Sequence, residues 1–187
     1  MNTPQIVLIT GGSCSGKTEF SKWFTHSLRL SLDDFYVAKE KLTKDEQGNF
    51  QFDIPAAIDI AECAEAVKSL KETGSATIPL YDMKLNDRTG TTQISTEDDT
   101  KFIVIEGIFA FHSPLVELGD LKIFVDTPTE TRLARRMLRD VERKGKSSIE
   151  IMHDFIAAEQ SYVKYIEPMK KLADLVVPYS YSPLKFV

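Results

Sequence analysis

Residues 11 to 18 run Gly11-Gly12-Ser13-Cys14-Ser15-Gly16-Lys17-Thr18, and no other stretch narrows what this chain can fold into as far. The spacing G-x-x-x-x-G-K-[ST] lets successive main-chain amides curl around a phosphate, while the lysine meets its charge and the hydroxyl its magnesium ion. Upstream, Gln5-Ile6-Val7-Leu8-Ile9 is a short apolar run that predicts a strand. Downstream, Phe20, Trp23 and Phe24 predict a helix over residues 18 to 27. Strand, loop and helix form the context the motif demands, because the helix points its positive end and unpaired amides at the anion. Glycine is required at Gly11 and Gly16, where a Cβ would obstruct the loop and the approach of a phosphate. All eight residues are therefore candidates for holding a nucleoside triphosphate, with ATP the expected donor, GTP an alternative, and Mg2+ the accompanying ion.

The 187 residues, 42% of them hydrophobic, predict a single domain over 1–187 whose core needs no staples. A formal net charge of −5 argues against nucleic acid or a membrane surface as partner, since either would favour a basic face. Cys14 and Cys63 are too few for a disulfide framework or a zinc site, which points to a reducing compartment. The N-terminus enters the first strand without a charged region, apolar stretch and cleavage site, so neither a signal peptide nor a membrane span is expected and cytoplasm is the expected location. His26, His112 and His153 are scattered without ligand spacing.

Along the chain, residues 28 to 32 predict a second strand that delivers Asp33-Asp34-Phe35-Tyr36 to the edge where open α/β sheets bind ligands. Phe50-Gln51-Phe52-Asp53-Ile54-Pro55 leads into a helix begun by Pro55, with Asp53 near its start. Its apolar face is Ala57, Ile60, Ala64, Val67 and Leu70, and Gly74 ends it. Residues 76–83 and 91–95 predict a hairpin around Asn86-Asp87-Arg88-Thr89-Gly90, with Tyr81 on its first arm. Phe102-Ile103-Val104-Ile105 is apolar on both faces, as in an interior parallel strand, and ends in Glu106, a carboxylate placed to hold magnesium with Thr18. After a strand over 121–126, Thr127-Pro128 opens a helix through Val141. Arg132, Arg135, Arg136 and Arg139 share one of its faces, predicting a lid over about 132–147 that closes on polyphosphate, because clustered guanidiniums repel unless anions neutralise them. Gly145 breaks this helix, residues 147–172 are helical with an interruption near Pro168, and 173–178 form a last strand. The fold class expected is α/β: a P-loop NTPase-type, mostly parallel sheet flanked by helices, with a β-hairpin and an arginine-rich lid.

These segments together resemble the uridine kinase family of nucleoside kinases, related more distantly to phosphoribulokinase and nicotinamide riboside kinase. The likeness rests on GGSCSGKT, LSLDDFY, NFQFDIPAAID, IPLYDMKLNDR, VIEGI, FVDTPTETRLARRMLRDVERKGK and YIEPMKKLADLVVP, in family order over nearly the whole chain. The resemblance implies that Asp33 accepts the proton of an attacking 5′-hydroxyl, Lys17 serves the phosphates, and Thr18 and Glu106 hold magnesium. It further implies that Asp53 binds ribose hydroxyls and Tyr81 lies beside the nucleobase. Arg136, counted with Asp33 and Lys17 as catalytic, and Lys146 take substrate-side positions of the lid, and Arg139 a nucleotide-phosphate position. Asn86, also counted as substrate-binding, stands where uridine and cytidine enzymes carry His. Met83 replaces their Phe, Asp154 a Gln, Lys146 an Arg and Ile54 a His, and the tail from Tyr179 to Pro183 lacks the family's Gly-containing loop. The implied activity is ATP-dependent phosphorylation of a uridine- or cytidine-like nucleoside, with a small molecule as partner and self-association left open. The alternatives are a kinase for another small hydroxyl metabolite such as nicotinamide riboside, or a non-catalytic nucleotide-binding regulatory module.

Overall fold

Five short segments lie side by side, all parallel, in the order β2-β5-β1-β6-β7. They belong to a computed structural model that describes residues 3–46, 48, 50–145 and 147–178. The middle strand, β1 (Gln5–Thr10), pairs with β5 (Phe102–Glu106) on one side and β6 (Leu121–Asp126) on the other. β2 (Ser27–Ser31) extends the sheet beyond β5, and β7 (Leu175–Pro178) extends it beyond β6. Alternate residues of β1 and β5 are buried on both faces, as a parallel sheet covered on each side requires. Val7, Ile9 and Val104 pack with Phe20, whereas Ile6, Leu8, Ile103 and Ile105 pack with Cys63, Ala64, Val67 and Leu70. Register then does the positioning: Ile9 stands beside Glu106, and Glu106 beside Ser31, so the ends of β1, β2 and β5 open on one edge.

The first helix departs from expectation. α1 (Lys17–Ser21) has five residues rather than running to Ser27. The chain has to be back in the sheet at Ser27, opposite Phe102, and it turns at His26, whose φ is +53° and whose carbonyl accepts from the amides of Lys101 and Phe102. Phe20 and Phe24 still cover the sheet as their spacing suggested, while Trp23 is left exposed. The helix expected from Pro55 is likewise two elements. Pro55–Ala57 is a three-ten turn, and α2 (Ile60–Thr73) starts afresh, capped by Asp59, whose side chain accepts from the Glu62 amide. Gly74 ends α2 in a left-handed conformation.

The hairpin of β3 (Ser75–Asp82) and β4 (Asp87–Ser95) stands apart from the main sheet. Its turn is shorter than expected, with Asp87 to Gly90 already in the strand, because the Asp82 side chain accepts from the amides of Lys84 and Leu85 and Asn86 adopts φ +53°. α3 (Thr129–Lys144) and α4 (Ser148–Ser161) pack on each other, α4 opening with a capping box of Ser147 and Glu150. The interruption expected near Pro168 comes earlier, as a π turn over Tyr162–Ile166 followed by a three-ten turn over Glu167–Leu172. Among the described residues no helix is long and apolar enough to cross a membrane.

The arginines of α3 do not act as one face. Arg132 is 1% exposed; its Nη2 donates to Glu159 on α4 at 2.8 Å and its Nε to the Thr127 carbonyl at 3.0 Å. Its guanidinium lies over the Tyr162 ring at 4.4 Å. Arg132 is thus a tie between α3 and α4, answered by a carboxylate that its sequence spacing could not show. Removing one partner of a buried pair leaves an uncompensated charge. Glu159→Ala should lower unfolding free energy by about 3 kcal/mol in urea titration, whereas Glu19→Ala, which breaks an exposed pair with Lys22, should change it by less than about 1 kcal/mol.

Candidate active site

The turn after β1 places Gly11 at φ +144°, with its Cα so near the Val125 carbonyl that a Cβ would lie 2.4 Å from that oxygen. A Cβ on Gly12 would meet the Arg132 guanidinium at 2.6 Å, so both glycines are demanded by close approach rather than by turn chemistry alone. Cys14 adopts φ +61° between them and Lys17, a left-handed conformation that closes the loop. The Ser15 carbonyl accepts from the Thr127 hydroxyl at 2.8 Å and from Arg135 Nη1 at 3.0 Å, and the Phe20 amide donates to the Gly16 carbonyl at 2.9 Å. Ser15 Oγ is buried with no hydrogen-bond partner among the described residues. With α1 so short, the anion-binding capacity here lies in the amides of the loop and first turn, not in a long helix dipole.

Lys17 is buried and its Nζ donates to the carbonyls of Gly11 and Gly12, at 3.1 and 3.0 Å. Burial pushes its pKa below the ordinary lysine value, and the carboxylates of Glu106 and Asp33 pull it back. Glu106, at the tip of β5, has its pKa raised chiefly by burial, with the Lys17 charge opposing. Its Oε1 accepts from the Thr18 hydroxyl at 3.0 Å and from the Ser31 hydroxyl at 3.4 Å. Ser31 in turn accepts from the Asp33 amide at 3.3 Å, capping the three-ten turn Leu32–Phe35 that carries the two aspartates. One serine side chain therefore joins the two strand ends that bear Glu106 and Asp33. The donor set of Thr18 hydroxyl and Glu106 carboxylate is all oxygen, as a hard cation prefers. Among the described residues no group of three or more His, Cys, Asp or Glu is placed to hold a metal ion.

A second group of predicted residues converges on Tyr36, which is 7% exposed. Burial raises its phenol pKa well above the usual value, reinforced by Asp33, Asp53 and Tyr81 and opposed by Arg136. Those four residues come from four separate segments, and the fold brings their charges or dipoles within electrostatic reach of one ring. Tyr81 stacks against it at 5.3 Å between centroids, and the Tyr81 hydroxyl is buried without a hydrogen-bond partner among the described residues. The Asp53 carbonyl accepts from Ser161 on α4, which ties the segment after Phe52 to that helix. Asn86 lies half-buried in the hairpin turn. Arg136 and Arg139 are gathered by buried Asp140, at 3.6 and 2.7 Å, and Arg135 reaches the phosphate loop. Lys146 and the tail from Tyr179 lie outside the described residues.

Sequence reasoning passed over Ser31, Tyr36, Arg88 and Asp140. Tyr36 could have been found as the aromatic closing Asp33-Asp34-Phe35-Tyr36, and Ser31 as a hydroxyl two residues before Asp33, which is capping spacing. Asp140 could have been found as the acid four residues after Arg136 on the same helix; nothing local marks Arg88, because its partners Phe35, Tyr36 and Glu62 come from distant segments.

The phosphoribulokinase / uridine kinase family model matches residues 6–182. A uridine kinase of Ligilactobacillus salivarius is 32% identical over 185 residues, covering 95% of this chain and 86% of that protein. One of Staphylococcus aureus is 33% identical over 186 residues, with 95% and 89% covered. Among solved structures, the phosphoribulokinase of Rhodobacter spheroides superposes with a TM-score of 0.66 at 20% identity, covering 96% of this chain and 73% of that one. A structure of a possible uridine kinase from Bacillus stearothermophilus gives 0.65 at 21% identity, with 95% and 90% covered, so this chain shares the fold of both. A family match spanning nearly the whole chain, on a phosphate loop faced by two strand-end carboxylates, places this chain in the phosphoribulokinase / uridine kinase family.

Proposed function

We propose that this protein transfers the γ-phosphoryl group of ATP to the 5′-hydroxyl of a uridine- or cytidine-like nucleoside, giving the nucleoside monophosphate and ADP. The observation that carries the reading is the pair of carboxylates at the ends of β5 and β2, Glu106 and Asp33, joined through Ser31 and both acting on the charge of Lys17, which closes the phosphate loop. A protein that only bound nucleotide would have no need of a second carboxylate there, nor of Asp53 and Tyr81 gathered beyond it. The identity to uridine kinases of two bacteria supports the nucleoside as acceptor.

In this reading the loop amides and Lys17 hold the donor's terminal phosphates, and Arg136 and Arg139 add positive charge as the lid closes. Phosphoryl transfer spreads negative charge over the equatorial oxygens, so positioned cations and amides carry most of the catalysis. Thr18 and Glu106 would hold Mg2+, which when bound neutralises phosphate charge. Asp33 orients the acceptor hydroxyl and takes its proton as the new P–O bond forms, so it need not be a strong base. Asp53 would engage ribose hydroxyls, Tyr81 and Asn86 the base side, and Lys146 the substrate side of the lid. Closure excludes water, the competing acceptor. The base side carries Met83, Asn86 and Asp154 where uridine and cytidine enzymes have other residues, which keeps nicotinamide riboside and similar alcohols as a second reading. The expected setting is the cytoplasm, where the nucleotide donor is present.

ADP release measured with ATP or GTP against uridine, cytidine, nicotinamide riboside and no acceptor decides among these readings. Stimulation by a pyrimidine nucleoside supports the proposal; equal turnover without acceptor marks an ATPase, and nucleotide binding without turnover marks a regulatory module. Asp33→Asn should leave ATP affinity within about twofold and lower turnover by two or more orders of magnitude, on the order of 3 kcal/mol of barrier. Near-normal turnover would remove Asp33 from this role. Lys17→Ala should weaken both ATP binding and rate, as read by nucleotide titration and steady-state kinetics.

A further inference from the structure

Arg88 lies on β4 directly opposite Tyr81 on β3, yet its side chain leaves the hairpin. Its Nε donates to the Tyr36 carbonyl at 2.8 Å and its Nη2 to the Phe35 carbonyl at 3.4 Å. The same Nη2 lies 2.7 Å from Glu62 Oε2 on the first turn of α2, and the guanidinium is only a quarter exposed. The next residue back repeats the arrangement: Asp87 Oδ1 accepts from the Lys39 amide at 3.0 Å, and that bond is the main cause of its lowered pKa. Two consecutive hairpin residues thus grip both sides of the chain that leaves Asp33.

That chain is held by packing and by individual bonds. Leu32, Phe35 and Tyr36 are buried in the core. The Phe35 carbonyl accepts from the Asp59 amide at 2.8 Å and the Val37 amide donates to the Ala57 carbonyl at 2.9 Å, on either side of a single Tyr36–Ile58 bridge. At its other end the turn is capped by Ser31. No ladder runs through residues 32 to 41, so the hairpin's bonds to the Phe35, Tyr36 and Lys39 backbone add to that packing in setting where Asp33 lies. A guanidinium is suited to the task because its planar fork can serve two adjacent carbonyls while an ion pair fixes its plane; an ammonium is a point donor without that geometry.

We infer that Arg88 is a positioning residue that couples the hairpin to the segment carrying Asp33, so that an acceptor seated against Tyr81 and Asn86 sets the reacting carboxylate through the Tyr36 and Phe35 carbonyls. The inference rests on the proposed reading of the site for its acceptor, but the clamp itself does not. Arg88 touches neither the phosphate loop nor Lys17 in the contacts above, so its loss should act on turnover and leave donor binding alone. A residue that merely stabilised the fold would instead change melting temperature and nucleotide affinity together.

The test uses Arg88→Gln and Arg88→Lys in the full chain, with hydrogen–deuterium exchange, ATP titration and acceptor-dependent ADP release read on each. Arg88→Gln should speed amide exchange over residues 33–39 at least tenfold and leave the phosphate-loop amides unchanged. It should lower kcat by about ten- to a hundredfold with ATP affinity within twofold, and Arg88→Lys should recover part of both losses. Unchanged exchange over 33–39, or a kcat equal to the parent's, overturns the clamp; so does a loss of ATP affinity that matches the loss of rate. If the parent shows no acceptor-dependent ADP release, the kinase reading fails, and the exchange measurement alone then decides whether Arg88 holds the Asp33 segment.

Discussion

A lysine ammonium sunk out of water has to be answered by oxygen, and the mouth of this sheet is arranged around how Lys17 is answered. Two main-chain carbonyls, of Gly11 and Gly12, accept hydrogen bonds from it directly, while Glu106 and Asp33 supply the balancing charge. Each depends on a feature of the backbone. The carbonyls are available because Gly11 can sit against the Val125 carbonyl at φ +144°, where a side chain would collide. The carboxylates arrive together because β2 and β5 pair with Ser31 beside Glu106, and Ser31 bridges the strand ends. A one-residue change in that register would turn Glu106 to the opposite face of the sheet and leave the lysine charge without its nearest counterpart.

The site divides physically into a half borne by the sheet and a half borne by loops. Cradle, Lys17, Thr18 and Glu106 hang on parallel strands whose ladders fix them within tight limits. Asp53, Tyr81 and Asn86 belong to a connecting segment and a hairpin outside the main sheet, joined to the rest by packing of Ala76, Ile78 and Ile94 on the core and by side-chain bonds such as Ser161 to Asp53 and Arg88 to Tyr36. Loops tolerate substitution where ladders do not. Of the residues in which this chain departs from uridine and cytidine enzymes, Ile54, Met83 and Asn86 fall on that second half and Asp154 on α4.

Helix α3 shows how an evenly spaced set of like residues can serve unlike ends. Arg132 is buried and braces α3 against α4 through Glu159, with its guanidinium pressed close to Gly12. Arg135 binds the back of the phosphate loop, and Arg136 and Arg139 share Asp140. The bracing residue thereby links lid packing to the shape of the cradle: Gly12 has no side chain because Arg132 occupies the space one would need.

What the residue order by itself determined was local. A motif whose chemistry is carried by consecutive amides, an apolar strand ending in an acid, a glycine closing α2 and an arginine repeat on α3 are all visible because the interacting atoms are near neighbours in the chain. Tertiary structure alone decided the rest. The first helix stops at Ser21 because the sheet needs Ser27 opposite Phe102. Arg132 leaves the basic face because Glu159 waits on another helix. Tyr36 and Tyr81 come to lie ring against ring because the hairpin packs on the segment after β2. Periodicity reports which face of an element is apolar and which charges within it can pair, as Arg136 and Asp140 do, but a partner on another element, such as Glu159 for Arg132, is chosen by packing across the fold.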